Sequence, residues 1–123
     1  MQLFSAGQVW TYNTRAGEDS SRIIICRVEE DPNLGQIVHI HVNGLRLKNQ
    51  RAPSGYSDQI GHMPYSGNAL RKSVSKLEST TVALPAFEEG YQQWRGAFDR
   101  GKAGVWTAPL SEAILGMESA LNQ

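Results

Sequence analysis

The alternation of apolar and polar residues along the first third of the chain predicts β-strands. Residues 8–15, QVWTYNTR, alternate aromatic and polar side chains with the two-residue period of a strand. Residues 22–31, RIIICRVEED, are rich in β-branched side chains, and the turn-forming Pro32 and Gly35 follow them. A third segment, IVHIHVN over 37–43, comes directly after that turn. Strands joined by such short turns predict an antiparallel meander.

The Asn-Gly dipeptide at 43–44 predicts a tight β-hairpin, because both residue types tolerate the positive φ angles of a type I′ turn. A two-residue loop fixes the register, which pairs His41 with Arg46 and His39 with Lys48. These four side chains then share the outward face of the sheet, and the apolar residues between them point inward. We therefore predict a basic, partly titratable sheet face that contacts acidic groups.

Alternate histidines on a strand can also place two imidazoles on one metal ion, with His62 as a third ligand. In the predicted register, however, the neighbours of His39 and His41 are two cations, whose charges oppose a divalent metal. We therefore expect no metal at these histidines. The chain also lacks the motifs that bind ATP, dinucleotides or structural zinc, so no cofactor is expected.

The second half of the chain carries the i, i+4, i+7 spacing of amphipathic helices. Ser66 is a predicted N-cap. The apolar positions of the helix that it would begin are Leu70, Val74 and Leu77. Residues 79–85, STTVALP, are then expected to return to the sheet as a short strand. Two longer stripes follow, the first at Phe87, Tyr91, Trp94 and Phe98, the second at Leu110, Ile114, Met117 and Leu121.

Together these patterns predict a single α+β domain over residues 1–123. Its sheet would be an antiparallel meander of about four or five strands that curls into a half-barrel, covered on one side by two or three helices. A chain of 123 residues is long enough to bury one core without disulfides or a structural metal. The single cysteine, Cys26, lies among isoleucines and is expected to be a buried strand residue rather than a reactive thiolate.

The charges are unevenly distributed although their sum is zero. Residues 37–77 carry six cations against the single carboxylate of Asp58, a balance of +5, between two acidic flanks. Such a balance indicates either segments that pair with one another in the fold or a face for an acidic partner. The paired carboxylates Glu29-Glu30 and Glu88-Glu89 are expected to be solvated, because adjacent side chains on a strand or helix point apart.

The long segment at 49–65 is the predicted location of any binding site. It follows the basic hairpin without a clear period, and loops of this length in a small domain are usually functional or mobile. Its candidate binding residues are Arg51, Tyr56, Asp58, His62 and Tyr65. A Ser57-His62-Asp58 triad is disfavoured, because no G-x-S-x-G turn frames the serine.

Two segments resemble small uncharacterised bacterial proteins that have no assigned activity. They are FEEGYQQWRGAFDRGKAGVWTAPLSEAI at 87–114 and GQVWTYNTR at 7–15. Together they cover less than half of the chain and consist of packing and turn residues. The resemblance implies a stand-alone bacterial protein and brings no activity with it.

Three functional classes fit these observations. A protein-binding module of the inhibitor, immunity or adaptor type needs only a rigid charged surface, so we expect a protein partner with an acidic surface and no catalytic residues. A nucleic-acid-binding module is the first alternative, favoured by the basic middle segment and opposed by the pI near 6.8. A small-ligand binder or enzyme with a site on 49–65 is the second. The sequence predicts neither a signal peptide nor a membrane span, so a cytoplasmic location is expected, and the oligomeric state stays open.

Overall fold

An antiparallel meander forms the centre of the structure, a computed structural model that describes residues 4–123. The strands are β1 (Val9–Tyr12), β2 (Arg22–Asp31), β3 (Gly35–Asn43), β4 (Leu47–Lys48), β5 (Tyr56–Ser57), β6 (Ile60–Ser66) and β7 (Val74–Ser79). The helices are α1 (Gly67–Ser73), α2 (Glu88–Asp99) and α3 (Leu110–Leu121). Five strands make one sheet in the order β6-β3-β2-β1-β7, and β4 pairs with β5 in a small second sheet. The predicted α+β class is therefore confirmed.

The main sheet is curled, as the half-barrel prediction requires. Helix α1 directly joins β6 and β7, which lie at opposite edges of the sheet. Seven helical residues span only about 10 Å, whereas four strand spacings in a flat sheet amount to about 19 Å. The two edges must therefore bend toward each other. At the end of the crossover, Asn13 N–H donates to the Ser73 carbonyl, which fixes the start of β7 beside β1.

Helices cover both faces of the sheet, and the expectation of one covered face is wrong. On one face, Ile114 of α3 lies fully buried in a core cluster with Val38 and Ile40 of β3. On the other face, Tyr91 and Trp94 of α2 pack against Ile37. Because successive residues of a strand point to opposite sides, Ile37 and Val38 belong to different faces. Both predicted apolar stripes do pack on the sheet, but on opposite sides of it.

A β-bulge at Cys26 determines which residues of β2 reach the α2 side. The β2–β3 register runs from Ile25 opposite Ile40 to Arg27 opposite His39, so Cys26 is the extra residue. Beyond the bulge the alternation is shifted by one position, which places Arg27 and Glu29 on the face of His39. Cys26 itself is buried, as predicted, and burial raises the pKa of its thiol to about 12.

The predicted two-residue hairpin at 43–44 does not form. Strand β3 pairs with β2 on one side and with β6 on the other, while β4 pairs with β5. A type I′ turn needs positive φ at both central residues, and here Gly44 has φ 63° whereas Asn43 does not have positive φ. Instead, the Asn43 carbonyl accepts a hydrogen bond from the Ser21 hydroxyl. Strand pairing with distant residues therefore prevails over the local turn preference.

The boundary between α1 and β7 lies earlier in the chain than the sequence predicted. Ser66 is the N-cap, as predicted, and its hydroxyl accepts from Ala69 N–H at 3.3 Å. The helix ends at Ser73, however, and residues 74–79 are a strand, so the predicted continuation through Leu77 and the later strand at 79–85 are wrong. Pairing with β1 decides the conformation of this segment. Among residues 4–123, no helix has the length and apolar character that crossing a membrane requires.

Candidate functional site

Most of the residues predicted to bind a partner form two groups in the structure, to which His41 and Tyr65 do not belong. One group lies exposed on the small second sheet, and we call this segment, Arg46–Asp58, the 46–58 platform. The second group, His39 and His62, is enclosed between the main sheet and α2. We call this second group, which includes residues absent from the sequence prediction, the histidine cluster; its members are Glu29, His39, His62, Tyr91 and Trp94.

Three of the predicted contact residues are buried, so the outward histidine face is wrong. His39 is 0% exposed and His41 is 5% exposed, because β3 is an interior strand with helices on both of its faces. The His41 Nδ1 atom lies 3.2 Å from the Gly61 carbonyl oxygen. Tyr65 is also fully buried, and its hydroxyl donates to the Ala108 carbonyl at 2.6 Å. None of these three side chains is available to a partner in the folded protein.

Five of the six other predicted residues lie on the 46–58 platform, and the sixth, His62, belongs to the histidine cluster. Its exposed side chains are Arg46, Lys48, Arg51, Tyr56 and Asp58. The Arg46 guanidinium lies over the Tyr56 ring, 4.7 Å from its centroid, and Tyr56 retains 40% of its exposure. Lys48 lies directly opposite Tyr56 in the β4–β5 pair. Three cations and one aromatic ring therefore share a surface with a single carboxylate.

Hydrogen bonds to the last helix hold the backbone of the platform in place. The Lys48 N–H donates to Glu118 Oε2 at 2.7 Å, and the Lys48 carbonyl accepts from Asn122 Nδ2 at 2.8 Å. Within the platform, Asn49 Nδ2 donates to Ser57 Oγ at 2.9 Å. The Ser57 oxygen accepts in that bond, and among residues 4–123 Ser57 forms no hydrogen bond with His62. The prediction of a loop over 49–65 is wrong for residues 60–65, because they belong to β6 and pair with β3.

The histidine cluster contains a chain of hydrogen bonds that starts at a carboxylate. Glu29 Oε2 lies 2.6 Å from His39 Nε2, and His39 Nδ1 lies 2.9 Å from His62 Nε2. The two imidazole planes differ by only 15°, with centroids 5.1 Å apart. With the facing nitrogens at hydrogen-bond distance, this separation corresponds to rings that lie edge to edge rather than face to face. The bond between the histidines is therefore well directed.

The carboxylate determines where the protons of the neutral pair reside. Because an ionised carboxylate only accepts, the His39 Nε2 atom donates to Glu29. In the neutral ring, His39 Nδ1 then accepts, so His62 Nε2 donates to it, and His62 Nδ1 carries a lone pair. Burial lowers the pKa of His62 to about 4, and the nearby His39 contributes to that shift. Burial also lowers the pKa of His39, although Glu29 opposes this change.

Aromatic side chains of α2 enclose the inner part of this chain. The rings of Tyr91 and Trp94 each lie 4.8 Å from the His39 ring in edge-to-face geometry. Glu29 Oε1 accepts from the Tyr91 hydroxyl at 3.2 Å and from Arg95 at 3.3 Å. The Arg27 guanidinium covers the outer face of the Tyr91 ring. Glu29 is thus held from three sides, contrary to the expectation that it is a solvated charge.

His62 lies at a cleft of about 350 Å³ between β6 and the first turn of α2. The lining residues are Gly61, His62, Ala86, Phe87, Glu88, Glu89 and Gly90. A Cβ atom at Gly90 would lie 3.0 Å from His62 Cβ and 3.6 Å from His62 Nδ1, so glycine is what allows the helix to approach this ring. No residue within 4–123 forms a hydrogen bond with His62 Nδ1.

The two lowered histidine pKa values predict a loss of stability in acid. Below pH 6.5 the unfolded chain binds protons that the folded protein excludes, so stability falls from pH 6.5 down to about 4. For His62 we expect a loss of roughly 2 to 3 kcal/mol over this window. Urea unfolding of the wild type and of His62→Gln at several pH values measures it. The variant should lose less stability than the wild type, and parallel curves would contradict the depressed pKa.

Few features of the sequence indicate that Glu29, Tyr91 and Trp94 meet the histidines. The bulge at Cys26 places Glu29 on the same face of the sheet as His39, and no local sequence pattern predicts a bulge. The aromatic stripe of α2 did predict a packing surface, though not the polar network beneath it.

Among residues 4–123, no group of three or more His, Cys, Asp or Glu side chains is arranged to hold a metal ion. Comparisons with protein-family models, curated proteins and solved structures found no match to this chain.

Proposed function

We propose that the protein is a small bacterial, cytoplasmic protein-binding module of the inhibitor, immunity or adaptor type, and that the 46–58 platform contacts an acidic surface of its partner. The observation that carries this proposal is the guanidinium of Arg46 over the exposed ring of Tyr56, with Lys48 and Arg51 on the same segment. Tyrosine and arginine are the residue types that most often dominate binding energy at protein interfaces.

The order of the platform supports a binding role. Its backbone is tied to Glu118 and Asn122 of α3, so little conformational entropy is lost when a partner binds. Its three cations favour an acidic surface electrostatically. The contact surface that we propose is thus smaller than the sequence predicted, because His39, His41 and Tyr65 are interior residues.

Charge reversal on the platform tests this function. The double variant Arg46→Glu, Lys48→Glu should weaken binding of the partner by roughly tenfold or more, a loss of about 1.4 kcal/mol or greater. Both side chains are exposed, and their backbone N–H groups, which donate to Glu18 and Glu118, are unchanged, so folding should be spared. A photo-reactive amino acid at position 56 captures the partner from extract, and calorimetry then compares the variants.

The matched control reverses two exposed lysines outside the platform, Lys76→Glu and Lys102→Glu. This control has the same net charge as the platform variant, so a purely long-range charge effect would weaken both equally. Equal affinity of the wild type and the platform variant would contradict the proposal.

A nucleic-acid-binding role is the alternative, because cations beside an exposed aromatic ring also suit a single strand. Binding to an oligonucleotide that falls steeply with rising salt concentration, and that is lost in the platform variant, would favour this alternative. Binding of an acidic protein without oligonucleotide binding would favour the first proposal. The second alternative is a small-ligand or substrate site on residues 49–65. It concerns His62, which lies at the cleft beside α2 and not on the platform.

A further inference from the structure

The relay of Glu29, His39 and His62 has an inner end that is held and an outer end that is open. Both ring nitrogens of His39 have partners, whereas His62 is bonded through Nε2 and lines the cleft. A histidine pair that served packing alone would not need a carboxylate at one end and a cleft at the other. A base oriented by a second group, which is in turn oriented by a third, is the arrangement of acid–base catalysis.

We propose that Glu29, His39 and His62 form a proton relay in which His62 Nδ1 acts as a general base toward water, so that the cleft hydrolyses small neutral esters. This activity goes beyond the proposed binding function and uses none of the platform residues. His62 is the catalytic residue, because its Nδ1 atom contacts the reacting water. His39 and Glu29 are positioning residues that act through it.

The relay moves charge away from the cleft without moving the rings. When His62 Nδ1 accepts a proton, His62 Nε2 can pass its own proton to His39 Nδ1 over 2.9 Å. The positive charge then resides on His39, whose other nitrogen lies 2.6 Å from Glu29 Oε2. That ion pair stabilises the protonated relay in an interior that opposes an isolated charge. His62 thereby returns to a neutral ring beside the substrate.

The hydrolytic step balances within the cleft. His62 Nδ1 removes one proton from water while the water oxygen forms a bond to the ester carbonyl carbon, and the carbonyl π electrons move onto the carbonyl oxygen. When that electron pair re-forms the carbonyl, the bond to the leaving alkoxide or phenolate breaks. The leaving oxygen receives the proton back from His62. The products are the acid and the alcohol, and the relay returns to its first state.

The lining of the cleft favours a small, uncharged substrate with an apolar part. Phe87 and Ala86 provide apolar surface beside His62, and the volume of about 350 Å³ lies at the lower end of ligand sites. Glu88 and Glu89 are exposed carboxylates at the rim, which disfavour anionic substrates. An aryl acetate meets these requirements.

Hydrolysis of p-nitrophenyl acetate by the intact protein at pH 7.5 tests the proposal. We expect a second-order rate constant at least 100-fold above that of free N-acetylhistidine, because the cleft holds water and ester beside a positioned base, whereas the free imidazole reacts without such positioning and as a nucleophile. His62→Gln should reduce the rate to that of uncatalysed hydrolysis in the same buffer. Glu29→Gln should lower it at least 10-fold and move the pH–rate midpoint to lower pH, since the protonated relay loses its ion pair.

Two controls separate this site from others. His41→Gln removes a buried imidazole outside the relay, and the double variant Lys76→Glu, Lys102→Glu changes two exposed charges that do not line the cleft; both should retain the wild-type rate. Nitrogen-15 spectra of the wild-type histidines give a readout that needs no variant. At neutral pH they should show a proton on His62 Nε2 and no proton on His62 Nδ1.

Several outcomes would overturn the proposal. A wild-type rate no faster than that of N-acetylhistidine, an undiminished rate in His62→Gln, or a His62 ring protonated at Nδ1 would each do so. Acetyl transfer onto His62 itself, detected by mass spectrometry, would replace the general base with a nucleophile and would also overturn it.

Discussion

Replacing Trp94 by alanine is expected to lower the free energy of unfolding by about 3 to 5 kcal/mol. The indole is 9% exposed and packs edge to face on His39 and nearly parallel to Phe98, whose ring centroid lies 4.6 Å away. Its Nε1 atom also donates to the Gly104 carbonyl at 2.8 Å. Alanine would remove these contacts together and leave a cavity above the histidine cluster. Urea denaturation followed by circular dichroism measures the loss.

Trp94→Phe is the graded control, because it retains an aromatic ring and loses the indole donor. It should lie between the wild type and Trp94→Ala in stability. A Trp94→Ala protein that unfolds at the wild-type urea concentration would show that α2 does not stabilise the sheet, and the histidine cluster would then lack its cover.

Replacing Glu18 by alanine is expected to lower the free energy of unfolding by roughly 3 to 5 kcal/mol, because it breaks a buried ion pair. The Glu18 side chain is 3% exposed and accepts two hydrogen bonds from Arg15, each at 2.7 Å. It also accepts from the Arg46 N–H at 2.7 Å, at the beginning of the platform. The substitution leaves the guanidinium and the N–H without this acceptor.

The control for Glu18 is Glu30→Ala, which removes an exposed carboxylate from β2 and should change stability by less than about 0.5 kcal/mol. Arg15 holds the pKa of Glu18 below the ordinary 4.5, so this stabilisation is present above pH 4.5 and is lost as the pH falls through the folded-state value. Thermal unfolding at pH 7 and pH 3 should therefore show a smaller difference between wild type and Glu18→Ala at pH 3. An equal difference at both pH values would contradict the ion-pair account.

The sequence predicted the elements better than their contacts. Apolar stripes of helices, such as the one from Leu110 to Leu121, could be predicted because the 3.6-residue period places these side chains on one face without reference to distant residues. The strand partners of β3 could not be predicted from the Asn43-Gly44 dipeptide. They are β2 and β6, because burial of apolar residues across the whole sheet determines which strands pair. The class of fold was therefore accessible, whereas the strand neighbours were not.

The residues of the candidate site were also predicted only in part. Arg46 and Lys48 are exposed, as predicted, but Lys48 pairs with Tyr56 of the predicted loop and not with His39. His39 was misplaced because α2 covers the second face of the sheet, which the sequence analysis left open to solvent. Its true neighbours come from two other strands, β2 and β6, and from helix α2, so only the tertiary structure brings them together.

The bulge at Cys26 makes β2 one residue longer than the strand it pairs with, because β2 has 10 residues and β3 has 9. Deleting Cys26 would leave Ile25 opposite Ile40 and Arg27 opposite His39 in a regular ladder, so Arg27 and Glu29 would still face the histidines and Val28 the apolar core. A one-residue insertion beyond the bulge would instead move every later side chain of β2 to the opposite face. Diverging copies of this protein should thus lose a residue at the bulge more readily than they gain one in the rest of β2.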